Sequence, residues 1–412
     1  MTSREDAAAL DAADPLAPLR ARFELDEGDR IYVDGNSLGR LPLTARERIA
    51  QLVDEWAERL VTAWPDWIEA PSRVGDLLAG ACLGAPPGTV LVADSTTVNL
   101  YKLAAAALAA RPARRVLVTD AGEFPTDRYV LQGLGDVRLL ESDPVHGPDA
   151  TDVVAACAPG DVALVCLSLV SYRSGALADA HAITRAAQDG GAFMLWDLSH
   201  AAGAVEVELE AVGAELAVGC TYKYLNGGPG APAFLYVRRD LQDELRSPIQ
   251  GWFGQRDQFA MGAGYEPEDG IARFGAGTPP MLGLAAVEAA VELVGEAGIA
   301  RIRAKAAALT DLAVALGDER LAPLGFELGS PRKAVLRGAH VSFRHRDAWR
   351  ICQALIARAN VVPDFRGPDS IRFGLPPLYT RFVDVWDAVD RTATLVAAGE
   401  HHDFPAELAR VT

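Results

Sequence analysis

The sequence lacks the features that mark secreted, zinc-binding and membrane-spanning proteins. Its five cysteines form no C-x-x-C pair, which excludes a zinc ribbon and argues against a disulfide framework. No apolar run is long enough to cross a bilayer, and the acidic N-terminus, broken by Pro15 and Pro18, has no signal-peptide pattern. We therefore expect a cytoplasmic protein with no metal centre and with reduced thiols at these positions: Cys82, Cys157, Cys166, Cys220 and Cys352.

Positive charge is also scarce. The chain of 412 residues has 39 Lys and Arg against 56 Asp and Glu, a formal net charge of −17. Such a surface repels nucleic acid backbones and anionic lipid headgroups, so neither is an expected partner. Half of the residues are hydrophobic, which is enough for a large core and favours two globular domains.

Hydrophobic patterning predicts an α/β fold. An N-terminal arm, residues 1–45, contains a short helix near Arg20 and a strand at 31–33, and an amphipathic helix follows at 45–60. A large domain, residues 46–285, alternates helices with buried strands, which indicates a mostly parallel sheet. A smaller α+β domain, residues 286–412, follows a helix at 282–294 and contains helices at 302–316 and 348–359 and strands at 339–343 and 370–373. The predicted strands of the large domain are 90–93, 116–119, 162–167, 193–196, 216–218 and 233–237.

Three segments carry residues that are suited to catalysis or ligand binding. The run DSTTVNL at 94–100 opens a helix, where three hydroxyls and free N–H groups can hold a phosphate. For this segment alone, capping of the helix by Asp94 or Ser95 is the favoured interpretation. A strand ends at Asp197 and His200 follows, at the sheet edge where ligands bind. Lys223 comes 26 residues after Asp197. A lysine can form a Schiff base and an acid can hold a pyridine nitrogen protonated, which together suggest pyridoxal phosphate.

The motifs extend along nearly the whole chain. They are DGNSLG at 34–39, DSTTVNL at 94–100, FPTD at 124–127, WDLSHAAG at 196–203, CTYKYLNGGPG at 220–230, GWFG at 251–254, GTPP at 277–280, HVSF at 340–343 and IRFGLPPLY at 371–379. With these motifs the chain resembles the kynureninase family of fold-type I pyridoxal-phosphate enzymes. The resemblance implies that 46–285 binds the cofactor and that the arm contributes to the small domain and the active site.

The resemblance also implies roles for single residues. Lys223 would hold the cofactor and carry a proton, Tyr222 would donate one, and Asp197 would pair with the ring nitrogen. The other implied cofactor contacts in the same subunit are Thr96, Thr97, Phe124, Asp127, Ser168 and His200. Trp252 and Thr278 would reach the phosphate of the neighbouring subunit's cofactor in a homodimer. The implied substrate contacts are Arg372 at the α-carboxylate and Trp64 and Ser37 at the aromatic end.

The implied reaction is hydrolytic Cβ–Cγ cleavage of L-kynurenine to anthranilate and L-alanine, in tryptophan degradation and the route to NAD. Trp64 and Thr278 resemble the bacterial type, which prefers L-kynurenine over 3-hydroxykynurenine, whereas Gln255 and Arg256 depart from the family pattern. A paralogue acting on a modified kynurenine, a transaminase and a catalytically silent binding protein are alternatives. A desulfurase is disfavoured because Cys352 lies in a helical pattern. Of the remaining side chains, we expect His340 to be packed, Trp56 and Trp67 to lie in a core or interface, and His401 and His402 to face solvent.

Overall fold

The structure, a computed structural model, describes residues 3–25 and 28–407. Its strands in chain order, β1 to β13, are Ile31–Tyr32, Val90–Val92, Val116–Asp120, Asp136–Leu140, Val162–Ser168, Phe193–Asp197, Leu216–Gly219, Phe234–Val237, Glu327–Leu328, His340–Arg344, Val361–Val362, Asp364–Arg366 and Ser370–Gly374. The α-helices, α1 to α12, are Arg4–Ala13, Leu43–Arg59, Trp64–Trp67, Ala70–Leu78, Thr96–Ala110, Pro125–Leu134, Ala150–Cys157, Ala180–Asp189, Met281–Ala297, Ile299–Leu316, Ala348–Arg358 and Phe382–Ala397.

The central sheet has seven strands in the order β2-β8-β7-β6-β5-β3-β4. Strands β3 to β7 run parallel, and β8 is antiparallel to both of its neighbours. Hydrophobic clusters cover both faces of this sheet, as the continuous apolar strands predict. The predicted α/β class with a mostly parallel sheet is therefore confirmed.

Strand β4 is the one strand of the central sheet that the sequence analysis missed. It lies at the sheet edge, and only Leu140 among its five residues is buried. An edge strand needs no continuous apolar run, because one of its sides faces solvent. The segment DVRLL therefore lacks the continuous apolar run that predicts a buried strand.

Helix α2 confirms the predicted amphipathic helix, and much of its apolar surface is exposed. Leu52 is buried, whereas Val53, Trp56 and Leu60 are 43%, 57% and 61% exposed. Trp56 therefore does not lie in the core, because no described element of this chain covers that side of α2, and its place in an interface stays a prediction. These exposed side chains recur at helical spacing and form an apolar patch, a feature that can mark an interaction surface.

The C-terminal half builds a second core around a four-stranded antiparallel sheet of order β12-β13-β10-β9. The predicted strands at 339–343 and 370–373 correspond to β10 and β13. The arm joins this core, since β1 pairs with β11 in parallel and Ile31 and Val33 pack in the same hydrophobic cluster. The arm residues are thus distant in sequence from those they contact.

Two expectations about surface groups have different outcomes. His402 is exposed, but His401 is only 4% exposed, so its predicted solvent exposure is wrong. The 3₁₀ turn Glu400–Asp403 folds back towards α11, and burial lowers the pKa of the His401 imidazole. All five cysteines are free, as expected, and all five are also buried. No helix within residues 3–25 and 28–407 combines the length and apolarity needed to cross a membrane.

Candidate active site

The predicted site residues of the large sheet meet at the carboxyl ends of its parallel strands. Ser168 ends β5 and Asp197 ends β6, and the two are paired in register. Lys223 follows β7 in the next loop, and α5 begins at Thr96 just after β2. This edge is where ligands bind in open α/β sheets.

Lys223 contacts an imidazole and no carboxylate among the described hydrogen bonds and ion pairs. Its Nζ lies 2.9 Å from Nε2 of His200 and 5.9 Å from the ring centre of Phe124. Burial lowers the pKa of the Lys223 ammonium and holds the pKa of His200 well below its usual value. The arrangement therefore favours a neutral, nucleophilic amine beside a neutral imidazole.

Three buried carboxyl groups surround the end of β6. Burial, followed by the nearby charges of Asp197 and Glu123, raises the pKa of Asp127 well above its usual value. One oxygen of Asp127 is buried without a partner among the described residues. Asp197 accepts a hydrogen bond of 2.7 Å from the Ser199 N–H. This group can hold a proton and face a positively charged ligand atom.

Glu123 is a member of this group that the sequence analysis missed. Its carboxylate accepts hydrogen bonds from the Ser168 N–H at 2.7 Å, the Ser168 hydroxyl at 2.5 Å and the Phe124 N–H at 2.9 Å. Burial raises the pKa of Glu123 to about 7. Ser168 is therefore engaged by an internal acid, and Glu123 fixes the loop that carries Phe124. A glutamate preceding FPTD gives no sequence signal, because its partner is 45 residues away.

The N-terminus of α5 is capped by Ser95, and its interpretation as a phosphate site stays a prediction. The Ser95 hydroxyl caps the helix by accepting from the Val98 N–H at 3.3 Å, while the Thr97 side chain is exposed and free to meet a ligand. Lys102, fully buried, donates at 2.7 Å to both the Asp94 carboxylate and the Phe274 carbonyl. This lysine, also missed, ties the start of α5 to the segment that leads to Gly277 and Thr278.

Arg372 lies in β13 and is almost fully buried. Its Nε donates to Asp364 at 2.6 Å, its Nη2 also contacts Asp364, and its Nη1 donates to the Tyr172 carbonyl at 2.5 Å. Ser37 of the arm accepts from Nη2 at 3.3 Å, so the structure brings together two of the three predicted substrate contacts. Asp364 was not predicted, since nothing in its sequence context distinguishes it.

The Asp34–Gly39 loop of the arm packs directly on the loop of Lys223. The Gly39 N–H donates to the Tyr222 carbonyl at 2.7 Å, and a side chain at Gly39 would collide with the Lys223 carbonyl. Burial and the Asp364 charge raise the pKa of Asp34 to about 7. Burial also raises the pKa of the Tyr222 phenol, which keeps it protonated near neutral pH.

The other predicted residues lie apart from this group. The Trp64 ring packs on Trp67 and Phe253, with ring centres 5.6 and 6.2 Å apart. Trp252 is 43% exposed, and the Thr278 side chain is exposed on a cavity of about 560 Å³ that also reaches Asp94. No hydrogen bond or ring contact within the described ranges links Trp64, Trp252 or Thr278 to Lys223.

The donor set fits pyridoxal phosphate. The Lys223 amine has a lowered pKa and can bind an aldehyde. The unpartnered oxygen of Asp127 and the carboxylate of Asp197 suit a protonated ring nitrogen. The partly open N-terminus of α5 suits a phosphate. A cysteine nucleophile does not fit, because Cys352 is buried within α11. The site therefore favours carbonyl chemistry at Lys223.

Comparisons of the sequence with known proteins agree on one family. A model of the aminotransferase class-V family matches residues 81–345, and a model of the kynureninase C-terminal domain matches 302–392. A kynureninase of Pseudomonas fluorescens is 45% identical over 403 residues, covering 94% of each chain. A kynureninase of Burkholderia pseudomallei is 45% identical over 404 residues, covering 95% of this chain and 94% of the relative.

Solved structures show the same fold at low identity. A cysteine desulfurase from Thermococcus onnurineus superposes with a TM-score of 0.78 at 20% identity, covering 92% of this chain and 98% of that one. An alanine–glyoxylate aminotransferase from Nostoc reaches a TM-score of 0.69 at 16% identity, with coverage of 91% and 98%. These likenesses establish the fold-type I architecture and carry no argument about substrate.

Proposed function

Because this chain belongs to the kynureninase family of pyridoxal-phosphate-dependent carbon–carbon hydrolases, we propose that its site adds water across the Cβ–Cγ bond of L-kynurenine. The products are anthranilate and L-alanine, as in tryptophan degradation in the cytoplasm. The observation that carries the proposal is the Lys223 amine, which has a lowered pKa and lies 2.9 Å from His200 beside the buried carboxyl groups.

Lys223 would hold the cofactor. Asp197 and Asp127 would face its ring nitrogen, and Phe124 would lie against its ring. Thr96 and Thr97, at the start of α5, would bind its phosphate. When bound, pyridoxal phosphate supplies an electron sink that stabilises negative charge on the substrate carbons. Ser168, His200 and Tyr222 complete the surroundings of that cofactor in the proposal. Ser168 is held for this role by Glu123.

Proton transfer falls to two residues of the same loop. Lys223 accepts the Cα proton, because burial favours its neutral amine. Tyr222 donates a proton later in the reaction, because its raised phenol pKa keeps it protonated. Asp197 is the third catalytic residue of the proposal, since its carboxylate maintains the positive charge on the cofactor nitrogen.

The substrate's α-carboxylate is bound by Arg372, whose guanidinium is oriented by Asp364 on one edge. Ser37, which already contacts Arg372, lies with Trp64 along the aromatic part of the substrate in this proposal. Arginine suits this role because its planar fork binds a carboxylate through two parallel hydrogen bonds.

We further propose a homodimer in which Trp252 and Thr278 reach the cofactor phosphate held by the partner subunit. Their exposure and their lack of described contact with Lys223 support this assignment. The exposed apolar side chains of Val53 and Trp56 in α2, and of Leu60 directly after it, suit burial between subunits. Sedimentation velocity tests the dimer, and a monomeric cofactor-loaded protein at micromolar concentration would contradict it.

The decisive test follows anthranilate fluorescence after L-kynurenine is added to wild-type protein, Lys223→Ala and the exposed-lysine control Lys333→Ala. Wild type and the control should bind the cofactor with visible absorbance and turn over, while Lys223→Ala should lose both properties. Full turnover by Lys223→Ala would refute the assignment. Comparing kcat/KM for L-kynurenine and 3-hydroxykynurenine then tests the proposed preference for L-kynurenine.

A further inference from the structure

A second group of ligand-type side chains lies where the turn after α12 meets the start of α11. One ligand atom from each of Asp347, His401 and His402 lies within 4.8 Å of the other two. The proposed reaction uses none of these residues. Two imidazoles and one carboxylate are a ligand set typical of divalent transition metals.

The carboxylate of Asp347 does not cap the helix that Asp347 precedes. Asp347 is the N-cap residue of α11, yet its side chain makes no capping hydrogen bond. Its described ion-pair partners are Arg346 at 3.3 Å, with a side chain 87% exposed, and Arg350 at 3.7 Å. These distances are long for ion pairs, and both arginines reach solvent, so each pair contributes little free energy and a bound cation can displace it.

The imidazole of His401 is the most constrained member of the group. It is buried, its Nδ1 has no hydrogen-bond partner among the described residues, and its ring centre lies 4.0 Å from that of His402. A buried nitrogen without a partner costs free energy unless a ligand satisfies it. A bound cation would stabilise two imidazoles and a carboxylate at these short distances.

The backbone that carries these side chains is held in place by other contacts. Arg358 of α11 donates to Asp403 at 2.9 Å, and the Trp349 indole donates to the Glu407 carbonyl at 2.8 Å. Gly399, at a φ of 74°, begins the turn in the left-handed region that glycine tolerates. The cluster is therefore largely preformed.

We propose that Asp347, His401 and His402 form a binding site for a divalent transition metal, with Zn²⁺ as the matching ion. A tetrahedral ion with bonds of about 2.0–2.1 Å holds its ligand atoms about 3.3 Å apart, so the three atoms need to close by roughly 1.5 Å or less. Side-chain rotation can supply that change. Water would take the fourth position, and the ion would tie the C-terminal turn to α11.

The test uses cofactor-loaded protein that has been treated with chelator, dialysed and titrated with Zn²⁺ in a calorimeter. His402→Ala removes an exposed ligand and is expected to leave the fold intact, which L-kynurenine turnover checks. The matched control is His146→Ala, because His146 is also exposed and paired with an aspartate, Asp143, at 3.2 Å. Asp347→Asn is a second ligand variant.

Wild type and His146→Ala should bind one equivalent of Zn²⁺, which raises the thermal unfolding midpoint. His402→Ala and Asp347→Asn should bind at least tenfold more weakly, with no rise at the same Zn²⁺ concentration. Electron paramagnetic resonance of bound Cu²⁺ should show coupling to two imidazole nitrogens in wild type and one in His402→Ala. Absence of saturable binding, or equal affinity in wild type and His402→Ala, would overturn the proposal.

Discussion

The buried pair of Arg372 and Asp364 yields the most quantitative prediction. Both side chains are only 1% exposed, and Asp364 Oδ2 accepts from two nitrogens of the guanidinium. The substitution Asp364→Asn keeps the shape of the side chain but removes its charge. Arg372 then remains buried with neutral acceptors only, Tyr172 and Ser37.

Leaving one partner of a buried ion pair uncompensated costs about 3–5 kcal/mol. At about 2.1 cal/mol/K per residue, unfolding a chain of this length has an entropy of about 0.87 kcal/mol/K, so the thermal midpoint should fall by about 3–6 °C. The matched control is Asp318→Asn, because Asp318 binds Arg332 through two hydrogen bonds of 2.7 and 2.9 Å at the surface. Exposed pairs contribute about 0–1 kcal/mol, so this midpoint should fall by about 1 °C or less.

The assay is scanning fluorimetry of wild type and both variants, cofactor-loaded, at one scan rate and one protein concentration. Gel filtration before heating confirms that each variant is folded. Equal shifts in Asp364→Asn and Asp318→Asn would refute the reasoning, since burial would then make no difference. The same outcome would remove Asp364 as the group that orients Arg372.

Two other substitutions test groups that sequence reasoning missed. Glu123 has a folded-state pKa of about 7, so the folded protein holds more protons than the unfolded chain between about pH 4.5 and 7, and the free energy of unfolding should fall over this range by up to about 3 kcal/mol. Glu123→Gln removes this pH dependence. The thermal midpoint of the cofactor-free variant, measured relative to wild type, should therefore rise by about 3–4 °C from pH 4.5 to pH 8, and a constant difference would contradict the prediction. Lys102→Met removes two hydrogen bonds from a buried ammonium and should cost about 1–3 kcal/mol, seen as a lower thermal midpoint, because the Phe274 carbonyl loses its donor. An unchanged midpoint in Lys102→Met would show that the contact with Phe274 contributes nothing.

The sequence predicts the parts of this fold that depend on local patterns. Buried strands such as β5 and β6 are continuous apolar runs, and the lysine of the TYKYLNGGPG motif is found from its neighbours alone. Edge strand β4 and buried His401 were missed or wrongly placed, because their environment depends on which elements pack beside them. Glu123 and Asp364 were missed for the same reason, since a carboxyl group acquires its role only from partners that the fold brings near.

The arm's contacts also have a consequence for biosynthesis. Ser37 and Arg372 are separated by 335 residues, and β1 finds its pairing partner only in β11. At a translation rate of about 5–20 residues per second, roughly 17–67 s pass between synthesis of these two residues. The arm is therefore synthesised long before the strands that it contacts. A nascent chain stalled before β13 has its lysine loop but no Arg372 to bind the substrate carboxylate.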